Sequence, residues 1–444
     1  MAPPATIPDR PPAIDVAAPA RDLRRFWIAT RFLAILGPVG LAAFMSVDAE
    51  ASCAVWYEVP RLAVAFAVQA PLLLVFGHAS SRGLIVAALP VLAADALLAG
   101  VTAVPLARAG CDALLAASLV YLVLALAVAG TALPLLKARR GAVRVPAIAL
   151  LRFKRSIARM PLWWRSVRIA AFLAVQTAWV AAVATAFALP KVMDAMADID
   201  NPSYLRNETL YQAIFALGAT NIAIAVGIAV PVILVVRFVR RRLRRSADQA
   251  MARDPRPPIL LLRSFVDDAS RVAPSALLAR LQFRKRRLEE VIAAVIAWLG
   301  PFVAIGAPNE SAPMLGAYRA YFDDHTWQQA VRDWIAKSRL VIMVAGLTEW
   351  IQWELRTLIG ENKVGNLIVV FPPTDPEATA ARLDLLRRCF SDSPWQQGLA
   401  ALAPTFLLAV MLSDDGAVAA VTGRRRDELE YEFAVLACLR ARHP

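Results

Sequence analysis

The chain has 444 residues, of which 59% are hydrophobic and only 19% charged, and its mean hydropathy is +0.53. An average soluble domain is nearer half apolar and a quarter charged, so the composition excludes an ordinary soluble domain along the whole length and predicts a largely membrane-embedded chain. The formal net charge of +14 reads as a membrane-surface signature, and nucleic acid is not among the expected partners.

Residues 1–26 are rich in Pro and Ala and are expected to form a disordered N-terminal tail. Long apolar runs follow, each close to the roughly 20 residues that cross a hydrocarbon core. Six spans are predicted: Trp27 to Val47, Arg61 to His78, Leu84 to Ala107, Ala113 to Leu136, Val167 to Leu189 and Leu210 to Val239. No small-residue cleavage pattern follows the first, which is expected to remain in the mature protein. Four transmembrane helices thus occupy 27–136, a basic cytoplasmic loop 137–166, and two more helices with a basic exit 167–245.

The arginines set the orientation. Lys137 to Arg168 carries ten basic residues and no acid, and Arg237 to Arg245 carries six more. The intervening loop instead holds Asp194, Asp198, Asp200 and Glu208. By the positive-inside rule both termini are cytoplasmic and the protein is a multi-pass inner (plasma) membrane protein whose basic face meets anionic lipids of the bilayer. Pro146 to Trp164 mixes apolar and basic residues, as a helix lying in the interface would. Cys53 and Cys111 fall outside, where a disulfide would persist, and Cys389 and Cys438 inside, where they would be reduced. Asp95 is the lone acid within a span. It reads either as an interhelical hydrogen-bonding group or as part of a small transporter or channel.

From Arg256 onward short apolar strands alternate with amphipathic helices. Strands are predicted at Ile259 to Phe265, Phe302 to Ile305, Leu340 to Ala345, Leu367 to Phe371 and Phe406 to Met411. Helices are predicted near Ala276 to Leu299, Trp327 to Lys337, Glu349 to Gly360, Glu377 to Cys389 and Arg426 to Arg440. This alternation predicts a cytoplasmic, flavodoxin-like α/β domain over 256–444, with a parallel sheet of about five strands and its ligand site at their carboxyl ends. No phosphate-cradling glycine motif is present, and His78, His325 and His443 are scattered. No metal site is expected.

The third strand and the helix after it carry a resemblance. Ser338, the apolar run Leu340 to Ala345, and Trp350-Ile351-Gln352-Trp353-Glu354-Leu355 stand in the order and spacing of the Ser, strand and W-C-x-x-E-L segment of the Toll/interleukin-1 receptor (TIR) family, with Ile351 where the family has cysteine. The stretch LLLRSFVDD resembles a divergent form of that family's opening F-I-S-Y-S-x-x-D. The resemblance covers about 256–444. It implies a domain that self-associates, either as a non-enzymatic scaffold or as an effector of bacterial defence or signalling that hydrolyses NAD, with NAD as substrate and no bound cofactor.

Cleaving the bond between nicotinamide and ribose passes through a cationic ribose, which a carboxylate beside it stabilises. The resemblance assigns that role to Glu354. Trp350 or Phe265 would wall the flat rings, and Arg263 would face the pyrophosphate, with Ser264, Asp267 and Asp268 in the same loop. The plainer alternative makes Glu354 an exposed helical residue, Trp350 and Trp353 packing residues, and Arg263 the partner of Asp267 or Asp268.

Overall fold

The computed structural model describes residues 13–30, 33, 89, 93, 112–137, 246–264, 270–275, 286–306, 316–322 and 325–442. They divide between two units. One holds residues 13–24 and 246–442; the other holds 25–30 and the helix Asp112–Lys137.

The expected membrane region of about six spans is corrected. Among the described residues, no helix is long and apolar enough to cross a membrane. The fourth expected span coincides with Asp112–Lys137, which contains Pro134. Most of the other five expected spans, the basic loop 137–166, Cys53, Cys111 and Asp95 lie outside the described residues.

The α/β unit has strands β1 (Ala13–Asp15), β2 (Ile259–Leu262), β3 (Arg271–Val272), β4 (Arg286–Arg287), β5 (Phe302–Ile305), β6 (Tyr318–Ala320), β7 (Leu340–Val344), β8 (Leu367–Val370), β9 (Leu407–Leu412) and β10 (Val418–Thr422). The β3/β4 pair stands apart. The other eight strands form one sheet in the order β1-β10-β9-β8-β7-β2-β5-β6. The central runs ILLL, LVIMV, LIVV and LLAVML are buried at every position, as strands covered on both faces must be. Ile259 lies level with Phe302 on one side and Leu340 on the other, so the three central strands begin in one layer.

Side chains alternate between the two faces. Leu260, Leu262, Val341, Met343 and Val369 pack with helices Trp327–Lys337, Glu349–Gly360, Pro376–Cys389 and Gln396–Ala400. On the opposite face the helices Leu288–Ile296 and Glu428–Arg442 pack against each other, the second also lying on β9 and β10.

The expected all-parallel sheet of five strands is corrected as well. β6, β5, β2, β7 and β8 are parallel, whereas β9 runs antiparallel to β8 and β10 antiparallel to β9. The cause is an extra helix, Gln396–Ala400, between Pro376–Cys389 and β9; the Arg387 guanidinium donates to the carbonyl oxygens of Leu399, Ala400 and Leu402. The chain then re-enters beside the end of β8, where Phe371 N–H donates to Leu408 O at 2.9 Å.

Two further strands stand where loop or tail is predicted. β6 lies in the stretch expected to be a loop from Gly306 to Asp324. It is held to β5 partly because Gly306 lets the chain approach: a Cβ there would meet the Tyr321 ring at 2.3 Å. The expected disordered tail 1–26 supplies β1, parallel to β10, with Ala13 beside Ala420 and Ile14 beside Val421. Asp15 Oδ1 then accepts from Ala17 N–H at 2.8 Å, starting a helix over 17–30.

Candidate active site

The strand order reverses at β2, since β5 lies on one side of it and the next parallel strand after β6, β7, on the other. In sheets of this kind the crevice at the carboxyl ends of the strands flanking such a reversal is the ordinary ligand site. β2 leads there into Arg263 and Ser264, and β7 into Ala345, Gly346, Leu347 and Thr348. Ala345 is fixed on both sides: its N–H donates to Val370 O at 2.9 Å, and its carbonyl accepts from Arg382 Nε at 2.9 Å. Before β7, the buried Ser338 ends the preceding helix by donating from Oγ to Trp334 O at 2.5 Å.

The helix Glu349–Gly360 starts at Thr348, an extended residue of N-cap type, with Glu349 favourably placed in the first turn. It ends where Asn362 takes a positive φ of 51°, a conformation that asparagine tolerates. Ile351, Glu354, Leu355 and Leu358 are its buried positions. Their spacing is that of a core-facing stripe, and Glu354 occupies a place in it that leucine would normally hold.

Glu354 is only 8% exposed, and its Oε2 has no hydrogen-bond partner. Burial pushes the carboxyl up to about 8, so at neutral pH it is mostly an uncharged acid. Such a group can donate a hydrogen bond. It can also ionise if a cation is brought against it. Thr348 Oγ1, six residues earlier at the helix start, is likewise buried without a partner and does not cap the helix.

Trp350 lies on the same helix but is 56% exposed. Its ring meets that of Trp327 edge-on at 5.0 Å, and Trp353 meets Trp327 at 5.2 Å, with the Arg332 guanidinium over the Trp353 ring at 5.6 Å. The three tryptophans thus form an aromatic cluster with an open edge.

Arg263 points elsewhere. Its side chain is buried, with Nε 3.6 Å from Glu289 Oε2. Glu289 also accepts from Arg319 Nη2 at 2.6 Å and from Ala317 N–H at 2.6 Å. Glu289 belongs to Leu288–Ile296, in the layer opposite to that of Glu354. The guanidinium is therefore engaged with the far layer. Ser264 is buried at the end of β2; Phe265, Asp267 and Asp268 lie outside the described residues. Of the seven residues singled out from sequence, Glu354 and Trp350 share one helix, and Arg263 and Ser264 follow β2. Arg382, Glu289 and Arg319 were not singled out, because each acts through neighbours distant in sequence. Among the described residues, no group of three or more His, Cys, Asp or Glu is placed to hold a metal ion. Compared with protein-family models, curated proteins and solved structures, the chain matches none.

Proposed function

We propose that the α/β unit is a TIR-like domain that cleaves NAD between nicotinamide and ribose when chains cluster, with Glu354 the carboxylate that faces the developing ribosyl cation. One observation carries the reading: a buried, unpartnered carboxyl sits on the helix that follows the strand at the reversal of strand order. Strongly shifted titratable groups gather at functional sites, because an isolated buried acid is otherwise unfavourable. The nicotinamide ring of NAD carries a positive charge. Brought beside Glu354 it favours the ionised form, so substrate binding itself would release the proton and leave the charge the reaction needs. In this reading clustering opens the layer above Glu354 to the substrate. The unit acts at a cytoplasmic membrane surface, held by the basic segments, and the proposal does not depend on spans.

A second reading rests on Trp350 and on Leu347, which is 49% exposed. These two exposed apolar side chains stand three residues apart in sequence, as those of a non-enzymatic interaction module would.

Glu354→Gln separates the two. In the full-length protein at high surface density, loss of the charge is expected to slow NAD consumption by about two to three decades. Wild-type protein that consumes no NAD when clustered, or Glu354→Gln protein that consumes it at the wild-type rate, would leave only the interaction module standing.

A further inference from the structure

The outer edge of β10 is covered by a segment from the other end of the chain. Besides the three paired positions of β1, Val16 N–H donates to Thr422 O at 3.0 Å. About two turns of helix further on, Arg24 Nη2 lies 2.6 Å from Asp427 Oδ2 and 3.2 Å from Glu430 Oε1. Asp427 is nearly buried and Glu430 fully so. Without this segment the sheet would show a bare edge strand, and two buried carboxylates would lose the guanidinium that offsets them. The first state invites pairing with any exposed strand, and the second is strongly unfavourable. The site therefore needs an occupant.

Arg24 and Glu430 are 406 residues apart, and after Arg24 the chain leaves this unit, so the segment is joined to the edge it covers through the other unit and not by a neighbouring turn. The same segment on a second copy makes the same strand pairing and the same ion pairs. Exchange between chains then leaves contact energy unchanged and is decided by concentration alone. We propose that the edge of β10, with Asp427 and Glu430, is a docking site for the segment Ala13 to Arg24 of a second copy, filled within the chain when chains are dilute and between chains when they are crowded. Nothing in this depends on the role given to Glu354, so its failure would leave the NAD reading untouched.

The register supplies the test, because Ile14 lies beside Val421. Two full-length chains carrying different tags, one I14C and one V421C, are mixed at increasing density and exposed to molecular oxygen, which oxidises adjacent thiols to a disulfide. The exposed, out-of-register A18C replaces I14C as control. A disulfide joining the two tags is expected, at least tenfold above the control, rising with density and falling at least tenfold when the I14C chain also carries R24Q. The proposal is overturned if a single chain with both cysteines closes on itself while the mixture gives no more joined product than the A18C control.

Discussion

Two of the places where the α/β unit buries carboxylates treat them in opposite ways. At the start of Glu428–Arg442, Asp427 Oδ1 accepts from Glu430 N–H at 3.1 Å, and Glu430 Oε2 accepts from the N–H groups of Arg425 at 2.7 Å and Arg426 at 3.0 Å. Arg24 joins both acids from one side. Arg286 Nη1 lies 3.4 Å from Glu428 Oε2 and 3.4 Å from Glu432 Oε1. Each of these four acids has a guanidinium against it. Glu354 has burial without partners, and its side chain contributes nothing that a leucine would not contribute better. A satisfied buried acid specifies a fold; an unsatisfied one is a cost that the fold carries.

The largest expected effect turns this contrast into a pH scan. The Glu354 carboxyl stands at about 8 in the folded chain against its ordinary value of 4.5. Below the lower value both states hold the proton and nothing is lost. As pH rises through this window the unfolded chain ionises first, so stability falls, levelling off above about 8. The full difference corresponds to roughly 5 kcal/mol. Glu354→Gln removes the titration, so its urea midpoint should match wild type near pH 4 and exceed it increasingly up to pH 9. Equal midpoints at pH 9 would mean that Glu354 has a partner after all.

Next in size is the opposite operation on the satisfied cluster. Arg24→Gln leaves Asp427 and Glu430 buried without their guanidinium, and removing one partner of a buried pair typically lowers stability by about 3–5 kcal/mol. The same denaturant titration at neutral pH reads it. A loss below about 1 kcal/mol would show that the cluster is wetter than its burial implies.

The smallest test compares two helix starts. Asp375 Oδ1 accepts from Ala378 N–H at 2.7 Å and caps Pro376–Cys389, so Asp375→Ala should lose about 1 kcal/mol. Thr348→Ala should change stability by less than about 0.5 kcal/mol, since its hydroxyl caps nothing and is buried without a partner. Equal losses at the two positions would erase the distinction between satisfied and unsatisfied polar groups on which the reading of Glu354 rests.

The central strands and the helices after them were legible because each is a short apolar run or an amphipathic stretch bounded by polar residues. Trp327–Lys337 and Glu349–Gly360 fall where periodicity places them. The direction of β9 was not legible, since a run such as LLAVML reads the same either way along a ladder. β10 had a signal that went unread: Asp415-Gly416 between two apolar runs marks a hairpin, and Gly416 takes a φ of 84° there. Within the candidate site, the position of Glu354 on its helix could be read from the third-strand segment. Its burial could not, because a glutamate in a leucine's place looks the same in sequence as one on the solvent face. The contact between Arg263 and Glu289 was equally hidden, since Glu289 reaches it from a helix of the other layer.

The reach from Arg24 to Glu430 also sets a clock. A ribosome adding about 5–20 residues per second makes the arginine roughly 20–80 s before the glutamate it will meet. Through that interval β1 is a strand with no sheet. Pro11 and Pro12 stand directly before it and Pro19 shortly after, and prolines flanking an apolar strand hinder its pairing with the wrong chain. The proline content that makes this segment look shapeless in sequence suits it to waiting for the last helix to be made.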